Sequence, residues 1–161
     1  MARLRRGITG ALVLDADGLT KLATGNALAR ARFEVARRHR RHIVTAASTL
    51  AEVIRGGPRD AEVHRVLKDV EVIGIDRQYG RAAGELLGKT GLSGHRCALD
   101  ALLAVIAIAQ PRPVVLLTSD PRDLEKLTEE PERAKDQRIA VLKVLCRTGG
   151  GGRRLTGIRV S

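Results

Sequence analysis

Four acids in this chain stand where local propensity does not call for them. Asp15 closes the apolar run Ala11-Leu12-Val13-Leu14, and Glu52 falls one turn into the helical stretch that follows Ile43-Val44. Asp100 lies in the expected first turn of the most apolar helix, and Asp120 follows Leu116-Leu117-Thr118-Ser119. Carboxylates brought together repel one another strongly unless a cation neutralises them. Hard oxygen donors select Mg²⁺ or Mn²⁺, which activate a water and stabilise the charge developing on a phosphodiester. Four converging acids in a basic protein therefore describe a metal-dependent nuclease.

Three of these acids also have an ordinary structural reading, which stays open at this level. Asp120-Pro121-Arg122-Asp123 is a good helix start, with a cap, a proline and an acid in order. Thr49-Leu50-Ala51-Glu52 fits a capping box, and Asp15 can simply end a strand. Asp100 resists such a reading, because its helical neighbours Cys97, Leu103, Ala104 and Ala107 form an apolar face. A carboxylate there must be neutral, paired or bound to metal.

The elements that position these residues follow from the hydropathy pattern. Residues 11–15 read as a strand buried on both faces, followed by helical spacing over 20–41 through Leu22, Leu28, Ala31, Phe33 and Val35. A second strand is expected at 43–46, a helix over 48–55 stopped by Gly56-Gly57, and another from Pro58 to Lys68. Strands over 70–75, 114–117 and 139–145 alternate with helices over 77–89, 97–109 and 121–127. Residues 129–138 read as a charged linker. Such alternation predicts a three-layer α/β/α sandwich around a mainly parallel five-stranded sheet, with its site beyond the carboxyl ends of the strands.

Length and charge set the outer bounds. A chain of 161 residues with 43% hydrophobic content supports one domain, expected over 1–146, with a basic glycine-rich tail over 147–161. The longest apolar stretch, 98–109, is too short for a bilayer and carries Asp100. The apolar run 8–14 ends in Asp15 without a cleavage signal, and two cysteines, Cys97 and Cys146, make no disulfide framework. These features fit a cytoplasmic protein with core or neutral surface thiols. The formal charge is +11, with 23 Arg against 6 Lys. Guanidinium forks suit phosphate, and the helical face of Arg30, Arg37, Arg38 and Arg41 with Arg153 and Arg154 of the tail is the candidate RNA-binding surface. With aromatics at 1%, contacts should run to the backbone rather than to stacked bases. His39, His42, His64 and His95 read as surface residues rather than catalysts.

The segments Leu-Val-Leu-Asp15-Ala, Leu-Ala-Glu52-Val, Asp100-Ala-Leu-Leu-Ala and Thr118-Ser119-Asp120 resemble the ordered acidic motifs of PIN-domain ribonucleases, including the VapC-type toxins of bacterial toxin–antitoxin pairs. The resemblance spans roughly 11–145. It implies a PIN-like sandwich, one or two Mg²⁺ or Mn²⁺ ions and cleavage of RNA. Carried over by position, Asp15, Glu52, Asp100 and Asp120 are the catalytic acids, with Asp15, Asp100 and Asp120 as metal ligands. Thr118 is then the hydroxyl beside the metal and Asp123 an auxiliary acid. A toxin implies a small cognate antitoxin, and members of the family often form homodimers. The chain departs from the pattern at Asp17, where many relatives have a small residue, and at His95-Arg96-Cys97, where many carry a further acid.

Two other readings compete. Asp15-Ala16-Asp17-Gly18 also resembles the nucleophile loop of haloacid-dehalogenase-like phosphatases, with Asp15 as nucleophile and Asp17 as general acid. That order fails after Thr118, where no later acidic pair follows a strand, and it leaves Glu52 and Asp100 unused. A non-catalytic basic nucleic-acid-binding module is the third reading, in which the acids are only caps.

Overall fold

A computed structural model describes residues 9–145. Five parallel strands form one sheet in the order β3-β2-β1-β4-β5. They are β1 (Ala11–Leu14), β2 (His42–Ala46), β3 (Glu71–Ile73), β4 (Val114–Thr118) and β5 (Ala140–Lys143). The central strand β1 is flanked by β2 and β4, with Leu12 opposite Ile43 and Val115. Side chains alternate across a strand. Leu12 and Leu14 accordingly enter a core with Leu19, Leu22 and Phe33, while Ala11 and Val13 enter another with Val44, Leu103 and Ile106.

The first core is roofed by α1 (Ala16–Ala23), α2 (Ala27–Arg38) and α4 (Asp60–Leu67). The second is covered by α5 (Arg77–Thr90), α6 (Gly94–Ile108) and α7 (Pro121–Leu127). This is the expected three-layer α/β/α sandwich. A short helix, α3 (Ala47–Val53), leaves the carboxyl end of β2 and packs against both α1 and α6. The chain moves outward from β1 to β2 and β3, then returns across the sheet to β4. The connections after β1 and β4 thus diverge, leaving a crevice at their carboxyl ends.

Several boundaries differ from the sequence reading. The helix expected over 20–41 is two helices. Gly25 takes φ +86°, a backbone conformation that favours glycine, and Asn26 caps α2 by accepting from the Ala29 N–H at 3.1 Å. Helix α1 begins at Ala16 because Asp15 caps it. Helix α4 begins at Asp60 rather than Pro58, since the Asp60 carboxylate accepts from the N–H groups of Arg55, Gly56 and Gly57 and closes that loop. Helix α6 begins at Gly94, so Asp100 lies in its second turn. Residues 129–138 include a 3₁₀ turn (Lys135–Gln137) and a buried anchor, Glu130, which pairs with Arg112 at 2.8 Å and Arg133 at 2.7 Å.

His42 differs as well. Its side chain is only 17% exposed and bridges Gln110 and Glu71 at 2.7 Å each, a strut between β2, β3 and the end of α6. Among the described residues no single helix is long and apolar enough to cross a membrane. The apolar pair α5 and α6 bends by 118° and folds back on itself. The tail over 147–161, with Arg153 and Arg154, and Cys146 lie outside the described residues.

Gly18 fixes the approach of α1 to β4. A Cβ there would stand 2.6 Å from the Leu117 carbonyl oxygen. Alanine in a helix normally gains up to about 1 kcal/mol over glycine, but overpacking against fixed backbone costs roughly 1–3 kcal/mol. Gly18→Ala should therefore destabilise the protein by about 1–2 kcal/mol in urea denaturation. A stabilised variant would show that α1 is free to shift away from β4.

Candidate active site

The crevice is a cavity of about 150 Å³ bordered by six carboxylates, those of Asp15, Asp17, Glu52, Asp100, Asp120 and Asp123. Thr49, Thr118, Leu99 and Leu103 complete much of the wall, and among the described residues neither Lys nor Arg lines it. Asp15 stands one residue beyond the fully buried Leu14, so β1 sets its position. Its Oδ1 accepts from the Gly18 N–H at 2.5 Å as the cap of α1. Burial pushes its carboxyl up to about 6, against the pull of hydrogen bonds from the Thr118 hydroxyl and Gly18 N–H. The charges of Asp17 and Asp100 push it further up.

The other acids come from different helices. Glu52 projects from α3 and is pushed up by burial and by the charges of Asp100 and Asp17. Asp100 on α6 is pushed up by burial, then by Asp123 and Asp120. Asp120 is exposed at the cap position of α7 and makes no capping hydrogen bond. Its Oδ1 lies 3.4 Å from Arg122 Nε, which holds its carboxyl below the usual range. The Thr118 hydroxyl, buried behind it, accepts from the Asp120 N–H at 3.1 Å. Asp123 Oδ2 accepts from the Cys97 thiol at 3.5 Å, and burial together with Asp123 pushes that thiol up.

The fold thus brings together Asp15, Glu52, Asp100, Asp120, Thr118 and Asp123. The capping-box reading of Glu52 does not hold. Helix α3 starts at Ala47, directly after β2, and Thr49 is buried inside it rather than capping it. Asp17 and Thr49 are cavity residues that the PIN-like motif set did not include. Asp17 was legible as the second acid of Asp15-Ala16-Asp17, and it accepts from the Ser119 hydroxyl across the crevice. Thr49 carried no signal beyond its place in the apparent capping box.

The arginines are elsewhere. Arg37 lies 3.7 Å from Glu34 and 4.0 Å from Asp69, above the Phe33 ring. Arg37, Arg38 and Arg41 gather where α2 ends and β2 begins, at the amino edge of the sheet. Arg30, near the start of α2, packs its guanidinium against Gly25. The sequence-predicted basic face and the acids occupy different parts of the molecule.

The donor set fits a hard divalent cation. It offers carboxylate oxygens and a hydroxyl, and three of its acids are pushed upward, first by burial and further by one another's charge, with no Lys or Arg among the described residues of the lining. Asp15, Asp100 and Asp120 all line the cavity.

Among solved structures, the chain is similar to one in the crystal structure of VapBC2 from Rickettsia felis bound to a DNA fragment from the promoter. The likeness has a TM-score of 0.58 at 17% identity and covers 83% of this chain and 99% of that one. The fold is the PIN-like one that the acidic motifs implied. No protein-family model and no curated protein matches the chain.

An acid raised from 3.8 to about 6 binds its proton more tightly in the folded state. The folded protein therefore loses stability as pH rises from about 4 to about 6. Asn keeps the cap of α1 while removing the charge. Without metal, Asp15→Asn should be more stable than wild type above pH 6, by on the order of 2 kcal/mol, and the gain should vanish below pH 4. Thermal melts across that range check this, and a destabilised variant at pH 7.5 would make Asp15 a structural acid.

Proposed function

We propose that this protein is a metal-dependent endoribonuclease that cleaves RNA phosphodiester bonds with Mg²⁺ or Mn²⁺, and that it serves as the toxin of a toxin–antitoxin pair. The observation that carries this reading is the six-carboxylate cavity, with no Lys or Arg among the described residues of its lining, in a chain of charge +11. A pure binding module has no use for it. Asp15, Asp100 and Asp120 hold the cation, which would activate a water and neutralise charge developing on the phosphate.

The chain's own residues divide the remaining work. The Gly18 N–H and the neighbouring Thr118 hydroxyl hold Asp15 in place, where its carboxylate would serve as a ligand to the cation. Glu52, whose proton affinity is raised, takes the proton of the attacking water at its carboxylate. Asp123 and Asp17 add negative charge around the position. Arg122, paired to Asp120, places a guanidinium near the opening where a phosphate arrives. The acidic wall repels RNA by itself, so cation binding precedes productive RNA binding. The fold shared with VapBC2 supports the toxin role. On this reading a small antitoxin and a second copy of the chain are the protein partners, and the cytoplasm is the compartment.

The decisive test is RNA cleavage by purified wild type and Asp100→Asn in Mg²⁺, in Mn²⁺ and in EDTA. Cleavage should require the ion and fall by on the order of 10²-fold or more in the variant. Either ion should also raise the melting temperature of wild type but not of Asp100→Asn. Tight, salt-sensitive RNA binding without cutting, and an indifferent melting curve, would return the protein to the class of binding modules.

A further inference from the structure

We propose that Cys97, Asp100 and Asp123 form a second cation position that prefers a thiophilic divalent ion, Zn²⁺ or Co²⁺, over Mg²⁺. The inference rests on the metal-dependent reading above and concerns which ion one side of that cavity selects. Cys97 and Asp100 stand three residues apart on α6, so their side chains share a face. Asp123 reaches the same point from the first turn of α7, which packs on α6. The sulfur and one oxygen of each carboxylate all lie within 4.8 Å of one another.

The spacing of the thiol and carboxylate is already that of two ligands on one ion. Cys97 Sγ and Asp123 Oδ2 are 3.5 Å apart. Bonds of about 2.3 Å to sulfur and about 2.1 Å to oxygen at a tetrahedral angle place the two donors about 3.6 Å apart. Cys97 is 4% exposed, yet its sulfur faces a carboxylate rather than only apolar neighbours. Replacing an oxygen donor by sulfur disfavours Mg²⁺, which demands octahedral oxygen. The same replacement favours Co²⁺ and still more Zn²⁺. As the metal–sulfur bond forms, the thiol proton that points at Asp123 leaves to solvent. Three protein ligands leave a fourth place for water or a phosphate oxygen, as in sites that do chemistry rather than hold structure. Asp100 also faces the position of Asp15 and Asp120, so it joins the two cation positions.

The test is titration of the full chain with Co²⁺, reading the thiolate-to-cobalt charge-transfer absorption in the near ultraviolet. Wild type and Cys146→Ser should both develop the band, and Cys97→Ser should lose it. Asp123→Asn, which keeps the thiol, should bind Co²⁺ at least about tenfold more weakly, and it decides the matter if Cys97→Ser fails to fold. Zn²⁺ should displace Co²⁺ at equal concentration, whereas a tenfold excess of Mg²⁺ should not. No band in wild type at saturating Co²⁺, a band surviving in folded Cys97→Ser, or ready displacement by Mg²⁺ would overturn the proposal. RNA cleavage in Mg²⁺ by the same preparation separates the two readings. A band without cleavage overturns the nuclease and leaves this site standing, while cleavage without a band overturns the site alone.

Discussion

Six carboxylates around one small cavity repel one another, and everything else in the structure has to hold them there against that repulsion. The restraint is covalent continuity with a core that cannot yield. Asp15 follows four buried residues of the central strand, Thr118 is the buried last residue of β4, and Asp120 stands two residues beyond it. Asp100 rises from a helix whose other residues Ala101, Leu103, Ala104, Ile106 and Ala107 are buried. To separate the acids the protein would have to slide a strand or lift α6, and either movement exposes several apolar side chains at roughly 25 cal/mol per Å². The repulsion is thus stored in the folded state. It adds to burial, the larger cause, in raising the proton affinity of Asp15, Glu52 and Asp100.

Local hydrogen bonding decides which acids carry that strain. Asp15 has the Gly18 N–H and the Thr118 hydroxyl, and Asp120 has Arg122. Among the described residues Asp100 has no such donor, and burial, then the charges of Asp123 and Asp120, push it up. A cation entering the cavity therefore relieves Asp100 most directly. Asp15 serves two masters, since one of its oxygens terminates α1 while the cavity needs the other. Gly18 makes this geometry compatible with the close passage of α1 over the Leu117 carbonyl.

Much of this was legible in the sequence, and what was hidden has physical reasons. The run Ala11–Leu14 declares a strand buried on both faces, and the polar residue after it marks the carboxyl edge. The order of the four acids then converges because parallel strands place their ends together. The break at Gly25 was hidden because the buried Leu22, Ala29 and Phe33 keep helical spacing across it, so periodicity alone runs two helices into one. The capping-box reading of Glu52 failed because a strand can pass into a helix without a loop. Ala46 ends β2, Ala47 starts α3, and Thr49 falls inside. Helix α6 starts before its apolar stretch, at Gly94, since the exposed first turn needs no apolar residue.

The separation of acids and arginines bears on how a polyanion reaches the site. Strands of four or five residues are only ~13–16 Å long, so Arg38 and Arg41 lie about that far below the cavity plane. Arg37 is partly neutralised by Glu34 and Asp69. At physiological salt the field of such residues decays over about 8 Å, so it favours encounter with a polyanion more than it positions a phosphate at the acids. Positioning falls to the groups at the opening, Arg122 beside Asp120 and Lys143, whose charge Asp120 also feels. The excess of positive charge attracts polyanions to the surface, while the lining of the cavity is itself acidic. On the nuclease reading proposed above, charge of both signs in separate places would let the protein attract its substrate broadly and admit it only with a metal in place.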